Sequence, residues 1–185
     1  MENLRSDPNL SALIEEHGEL ELTPAEDTFA RFVTSIVRQQ LSMASAAAIR
    51  ERLFERFEVS PSELRTVDTG ALQSVGLSES KATYVKSAAR AFDEQGYSRE
   101  YFAGMDDAEV IAELTGIQGV GPWTAKMFLM FCLGREDVFP VEDLGIRKGM
   151  VELYGIEDRE AMGEKADDWR PDRSYASLYL WRAAD

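Results

Sequence analysis

Two adjacent carboxylates, Glu142 and Asp143, follow a proline-containing loop and stand at the start of a helical pattern that Gly155 ends. Carboxylates are candidates for acid–base or electrostatic catalysis. Because neighbours in sequence do not share one face of a helix, at most one of the two can point into any one pocket. The alternative is that both only favour the positive end of the helix dipole.

A second candidate site is a glycine-rich turn within residues 114–126, where Pro122 begins a new helix. Glycine permits the positive φ angles of a tight turn, so the pattern predicts a helix-hairpin-helix. Backbone N–H groups at such a turn can hold a phosphate without basic side chains. The groups expected to do so are Gly119, Val120, Gly121, Thr124 and Lys126. The alternative is a plain connection between two core helices.

Helical patterns position these residues along most of the chain, and no segment alternates as a strand does. A capping box at Thr23–Glu26 predicts a helix over about 24–40. Further helix starts are predicted at Ser42, Ser60, Asp68, Ser78 and Asp106, and helix ends at Gly76 and Gly96. We therefore predict an all-α fold in which residues 1–23 form an N-terminal arm on a helical domain of residues 24–185.

The composition restricts the function classes. The single cysteine, Cys132, excludes an intramolecular disulfide and a four-cysteine iron–sulfur cluster. The longest apolar run, residues 127–133, is too short for a bilayer, so we expect a soluble, intracellular protein. The net charge of −14 argues against nucleic acid. However, an acidic surface poor in lysine is also typical of halophilic proteins, so charge alone leaves the partner open.

Three segments together resemble the alkylbase DNA glycosylases (DNA-3-methyladenine glycosylase II type) of the helix-hairpin-helix glycosylase superfamily. They are Gly-Val-Gly-Pro-Trp-Thr-Ala at 119–125, Val-Phe-Pro-Val-Glu-Asp-Leu-Gly-Ile-Arg at 138–147, and the stretch from Trp169 to Arg182. Gln-Gln-Leu-Ser at 39–42 also resembles an early family loop. The resemblance covers roughly residues 24–184. It implies a compact, two-lobed helical fold without the N-terminal β-rich domain of larger members.

The resemblance also assigns roles. It places the catalytic aspartate on Asp143 and gives Glu142 no catalytic part. The base pocket falls on Trp123, Trp181 and Met127, the last in place of a family tyrosine. The wedge that fills the gap left by a flipped nucleotide falls on Leu41, with Gln40 beside it. A structural monovalent cation, Na⁺ or K⁺, would be held by the main-chain carbonyls of Thr115, Ile117 and Val120.

The implied activity is that of a monofunctional DNA glycosylase in base excision repair. It would flip and excise alkylated purines of the 3-methyladenine and 7-methylguanine class and leave an abasic site. Bifunctional relatives carry a lysine where this chain has Trp123, so we expect no lyase activity and no cofactor for catalysis. We expect a monomer that binds double-stranded DNA and no membrane, in the cytoplasm and with the nucleoid of a prokaryote. The alternatives are action on deaminated or oxidised bases, or a non-catalytic module that binds alkylated DNA.

Overall fold

The computed structural model describes residues 2–184 and is helical, with no strand among those residues. The expected all-α fold is confirmed. The helices, in chain order, are α1 Glu2–Ser6, α2 Pro8–His17, α3 Thr28–Arg38, α4 Met43–Arg56, α5 Pro61–Leu64, α6 Thr69–Ser74, α7 Glu79–Gln95, α8 Arg99–Phe102, α9 Asp107–Thr115, α10 Pro122–Phe131, α11 Leu144–Tyr154, α12 Arg159–Asp167 and α13 Arg173–Ala183.

These helices form two compact units. Ala25–Leu133 form the continuous unit, and residues 2–24 together with 134–184 form the discontinuous unit. Residues 2–23 contribute buried side chains, such as Leu4 and Leu10, to the core of the discontinuous unit. Their description as an arm outside a domain of residues 24–185 stays a prediction.

Side-chain caps determine where helices of the continuous unit begin. All five predicted caps accept a hydrogen bond from the backbone N–H of the third helical residue, which otherwise has no partner in the helix. The prediction for α3 is wrong, because this helix begins at Thr28. Asp27 is its cap and accepts from the Ala30 N–H at 2.9 Å. The Ala25 N–H instead donates to the Phe131 carbonyl at 2.8 Å, outside any capping box.

The core of the continuous unit is aromatic. Phe32 on α3 is fully buried and lies edge-on to Phe128 of α10, with ring centroids 5.5 Å apart. It also packs against Phe92 of α7 at 5.2 Å. Cys132 is buried next to this core, and burial raises the pKa of its thiol to about 12. A thiol that stays protonated is unreactive, so Cys132 is a core residue.

A buried carboxylate organises the core of the discontinuous unit. Asp7 caps α2 and is 7% exposed. It accepts hydrogen bonds from Lys165 (2.9 Å), the Tyr154 hydroxyl (2.9 Å) and the Trp169 indole (3.2 Å). Burial by itself raises the pKa of Asp7, but these hydrogen bonds outweigh burial and leave it lowered. Asp7 therefore holds the N-terminal helices to α12 as a charged group.

Residues 2–184 show neither a membrane span nor a metal cluster. No helix there is long and apolar enough to cross a membrane. Within the same residues, no group of three or more histidine, cysteine, aspartate or glutamate side chains is arranged to hold a metal ion.

Candidate functional site

Asp143 is the N-cap of α11 in the discontinuous unit. Its Oδ1 atom accepts the Ile146 N–H at 3.0 Å and the Trp181 indole N–H at 2.8 Å. At the neighbouring Glu142, the main-chain carbonyl accepts from the Arg147 guanidinium at 2.7 Å. Asp143 thus combines a place at the positive end of a helix with an indole donor.

Two glycines explain how the tryptophan reaches Asp143. Gly145 and Gly149 are four residues apart, so they share one face of α11. A Cβ atom on Gly145 would lie 2.7 Å from Cδ1 of Trp181, and one on Gly149 would lie 2.4 Å from the Leu180 carbonyl oxygen. Both distances are shorter than a real contact. The absence of side chains therefore lets α13 approach α11 and brings the indole to the aspartate.

The loop that leads to Asp143 is fixed by the first turn of α13. Arg173 binds the Asp137 carboxylate in a bidentate manner, at 2.6 and 3.1 Å. The buried hydroxyl of Ser174 accepts from the Val138 N–H at 3.0 Å. Since bidentate arginine pairs are geometrically specific, α13 holds the loop at one end and contacts Asp143 at the other.

The predicted hairpin is present in the continuous unit, between α9 and α10. Gly119 has φ +84°, and a Cβ atom there would lie 2.0 Å from Cγ of Tyr84. Only glycine fits this position. Gly121 caps α10 without a side-chain hydrogen bond, and Pro122 is the first helical residue, as expected. The cap of α10 therefore has no side chain that could cover the backbone N–H groups of the first turn.

Two details of the expected phosphate site are corrected. The Val120 N–H does not point outward, since it donates to the Ile117 carbonyl at 3.1 Å and closes the turn. The Thr124 side chain is 1% exposed, and its hydroxyl accepts from the Gln39 amide at 2.9 Å. The Thr124 hydroxyl is therefore a structural contact. Phosphate binding by the rest of the hairpin stays a prediction.

The wedge loop, which we define as Gln39–Ser42, connects α3 to α4. Gln40 is exposed and has φ +55°. Among residues 2–184, it is the one non-glycine residue with a positive φ angle. Leu41 is 40% exposed. The wedge residues expected from the sequence thus lie at the surface of the continuous unit, with Leu41 only partly covered by the fold.

Sequence reasoning missed the residues that hold this loop. The Gln39 amide donates to the Gly119 carbonyl and to Thr124, both at 2.9 Å. The Lys81 ammonium donates to the carbonyls of Val37 and Gln39 at 2.5 Å, and burial lowers its pKa. The only signal was the place of Gln39, which is a polar residue directly after the amphipathic α3. Nothing in the sequence indicated which carbonyls these side chains bind.

The remaining predicted residues lie on the hairpin helices. Trp123 and Lys126 are partly exposed on α10, whereas Met127 is 3% exposed. Thr115 ends α9 and Ile117 follows it, and the Ile117 carbonyl is used in the turn as described. Trp123 and Met127 belong to the continuous unit, and Asp143 and Trp181 to the discontinuous one. Their roles in a base pocket stay predictions.

The sequence of this chain is similar to those of known proteins. The family model described as HhH-GPD superfamily base excision DNA repair protein matches residues 33–171. DNA-3-methyladenine glycosylase of Saccharomyces cerevisiae is 36% identical over 86% of this chain and 67% of its own length. DNA-3-methyladenine glycosylase 1 of Schizosaccharomyces pombe is 30% identical over 86% of this chain and 73% of its own.

Solved structures agree with the sequence comparisons. A 3-methyladenine DNA glycosylase from Schizosaccharomyces pombe, in complex with abasic DNA, is similar with a TM-score of 0.89 and 27% identity, covering 97% of this chain and 93% of that one. A DNA-3-methyladenine glycosidase from Bacillus halodurans is similar with a TM-score of 0.81 and 35% identity, covering 98% and 87%. On its fold, its hairpin and its sequence, the chain belongs to the HhH-GPD superfamily of base excision DNA repair proteins.

Proposed function

We propose that this protein is a monofunctional DNA glycosylase that flips alkylated purines out of double-stranded DNA and excises them, leaving an abasic site. The observation that carries the proposal is Asp143, held by the start of α11 and by the Trp181 indole, in a chain at least 30% identical to named DNA-3-methyladenine glycosylases. The structural relative bound to abasic DNA supports the same product.

The chemistry requires little of the protein. Alkylation at N3 or N7 leaves a positive charge on the purine, so the base departs without being protonated by the enzyme. As the N-glycosidic bond between the purine and the sugar breaks, positive charge develops on the sugar. The Asp143 carboxylate stabilises that charge and orients the water that attacks the sugar, as carboxylates do in other glycosidases. An indole face favours a cationic base over a neutral one by about 0.5–2 kcal/mol.

Base flipping needs a second part of the molecule. Extruding a nucleotide costs a few kcal/mol, and an apolar side chain between the bases offsets part of that cost. Leu41 supplies this wedge in the proposal, supported by its exposure in the wedge loop. The hairpin supplies phosphate contacts through backbone N–H groups, which an acidic chain can offer without basic side chains.

The proposal extends to a monovalent cation, Na⁺ or K⁺, at the carbonyls of Thr115, Ile117 and Val120. A carbonyl oxygen has two lone pairs, so the Ile117 oxygen can accept from the Val120 N–H and still face a cation. Such a cation would add positive charge to the hairpin. The proposal also includes a cytoplasmic location, with the nucleoid in a prokaryote, because DNA is the substrate.

A base-release assay tests the function. The full chain is incubated with randomly methylated duplex DNA, and the released bases are separated by chromatography. We expect 3-methyladenine and 7-methylguanine in the supernatant, and intact strands until abasic sites are cleaved by alkali. Borohydride should trap no covalent complex, because Trp123 stands where bifunctional relatives carry lysine. Release only from hypoxanthine, uracil or ethenoadenine duplexes would assign another lesion, and binding without any release would contradict a glycosylase.

A further inference from the structure

The wedge loop has an unfavourable backbone conformation. Gln40 adopts φ +55°, a region that residues other than glycine, asparagine and aspartate rarely enter. Such a conformation persists only where the surroundings enforce it. The Leu41 N–H donates to the Arg38 carbonyl at 3.3 Å, which is a weak local contact. The loop therefore depends on groups outside itself.

Gln39 supplies one of these groups. Its amide nitrogen has two hydrogens, and its two partners are the Gly119 carbonyl and the Thr124 hydroxyl, each at 2.9 Å. Both partners belong to the hairpin, 80 and 85 residues away in sequence. Gly119 is in the turn and Thr124 is in the first turn of α10. One side chain therefore connects the wedge loop to both parts of the hairpin.

Helix α7 supplies the others. The Lys81 ammonium donates to the Val37 and Gln39 carbonyls at 2.5 Å, across the end of α3, where a cation is also favoured by the helix dipole. Tyr84, one turn later, packs its ring where a Cβ atom of Gly119 would lie. The same helix thus contacts the wedge loop and the hairpin turn.

We propose that Gln39 and Lys81 are positioning residues that fix Leu41 relative to the hairpin, so that a phosphate held by the hairpin places the wedge at one base step. The inference rests on the proposed function. A wedge on a free loop would pay the entropy of ordering that loop each time it entered DNA, and a preorganised loop avoids this cost. Neither residue contacts the reacting atoms in this scheme.

The test compares Gln39→Ala, Gln39→Glu and Lys81→Met with wild type. Gln39→Glu keeps the side-chain size, but a carboxylate oxygen replaces the amide nitrogen and cannot donate to the Gly119 carbonyl. Lys86→Met is the matched control, since Lys86 lies on the same helix and donates to the Val67 carbonyl at 2.7 Å, away from the wedge loop. Thermal unfolding by circular dichroism identifies any variant that fails to fold, and the remaining variants then decide.

Two measurements are made on each protein. Single-turnover release of 7-methylguanine is measured from a duplex in which it pairs with cytosine and from one in which it is mispaired. Insertion is measured separately, as the fluorescence rise of 2-aminopurine placed beside an abasic-site analogue, which needs no base release. We expect the variants to lose about tenfold in release from the paired duplex, as for one lost hydrogen bond. The loss on the mispaired duplex should be smaller, since flipping there needs less help from the wedge.

The fluorescence rise should fall in the variants and stay unchanged in Lys86→Met. Equal losses on both duplexes would make Gln39 and Lys81 merely structural and overturn the inference, as would unchanged release and fluorescence. If wild type releases no methylated base but gives the fluorescence rise, the proposed function fails while the positioning role is still decided by the variants. If wild type gives no rise, the inference itself fails.

Discussion

The Asp143 region and the wedge loop are held in opposite ways. In the discontinuous unit, the carboxylate of Asp143 itself accepts the hydrogen bonds that fix it. In the continuous unit, Leu41 is partly exposed. Its loop is held through the neighbouring Gln39, whose side chain donates to the Gly119 carbonyl and whose own carbonyl accepts from Lys81.

The difference follows from what each residue has to do. A group that stabilises developing charge must be placed within a fraction of an ångström, so its own atoms are fixed. A side chain that enters DNA cannot be fixed by the protein beforehand, so only its backbone can be. A substitution at Asp143 should therefore remove its charge without moving the side chain. A substitution at Leu41 should impair insertion into DNA without changing the fold of its loop.

The largest effect is expected for Asp143→Asn. The amide oxygen can still accept from Ile146 and Trp181, so the position is kept while the charge is lost. We expect base release to fall by about 100-fold or more, with unfolding temperature and binding to abasic DNA nearly unchanged. Glu142→Gln is the control and should have a modest effect. Near wild-type release by the Asp143 variant would contradict its catalytic role.

The second prediction concerns the unit that carries Asp143. Asp7→Ala should lower the free energy of unfolding by about 3 kcal/mol, because it leaves Lys165 without its buried partner. Asp168→Ala removes the exposed partner of the same lysine and should cost much less. Urea unfolding curves measure both. Equal effects of the two variants would show that burial of Asp7 is unimportant.

The buried Asp7 should also make the free energy of unfolding depend on pH in the acid range. Its lowered folded-state pKa means that the unfolded chain binds the proton more readily, so the stabilisation is complete above about pH 4 and is lost as the pH falls through the folded pKa. Unfolding measured at decreasing pH should show this fall in wild type and a smaller one in Asp7→Ala.

A smaller effect is expected for Gly149→Ala, which tests the approach of α13 to α11. The added Cβ would lie 2.4 Å from the Leu180 carbonyl oxygen, so the helices must separate, at about 1–3 kcal/mol. Gly163→Ala on α12 meets no atom within 4 Å and should stabilise by roughly 0.5–1 kcal/mol. Calorimetry measures whether each variant is less or more stable than wild type. If both variants were more stable, the close approach of α13 to α11 at Gly149 would be refuted.

The smallest effect on stability is expected for Leu41→Ala. Since this side chain is 40% exposed and only partly covered, the unfolding free energy should fall by no more than about 1 kcal/mol. Release of 7-methylguanine from a paired duplex should nevertheless fall by about tenfold, the rate equivalent of roughly 1.4 kcal/mol. Binding to undamaged DNA, measured by fluorescence anisotropy, should stay the same. A parallel loss of binding would make Leu41 a general contact and end its distinction from Asp143.

The sequence by itself determined the features that depend on neighbours in the chain. Five helix starts follow from residues that cap their own backbone three positions later, and the hairpin follows from glycines and a proline in one short segment. The family, and the place of Glu142 and Asp143 at the start of a helix, were likewise accessible from a contiguous motif. These interactions are local, so their partners can be identified without knowing the fold.

Only the tertiary structure decided what holds the site. Gln39 reaches Gly119 over 80 residues, Trp181 reaches Asp143 over 38, and Trp169 reaches Asp7 over 162. At α3 the cap is local, since Asp27 accepts from Ala30, but the Ala25 N–H of the expected capping box pairs with the distant Phe131 carbonyl. A donor's type can be read from the chain, but the acceptor that it meets depends on how the helices pack, and packing depends on all of their side chains together.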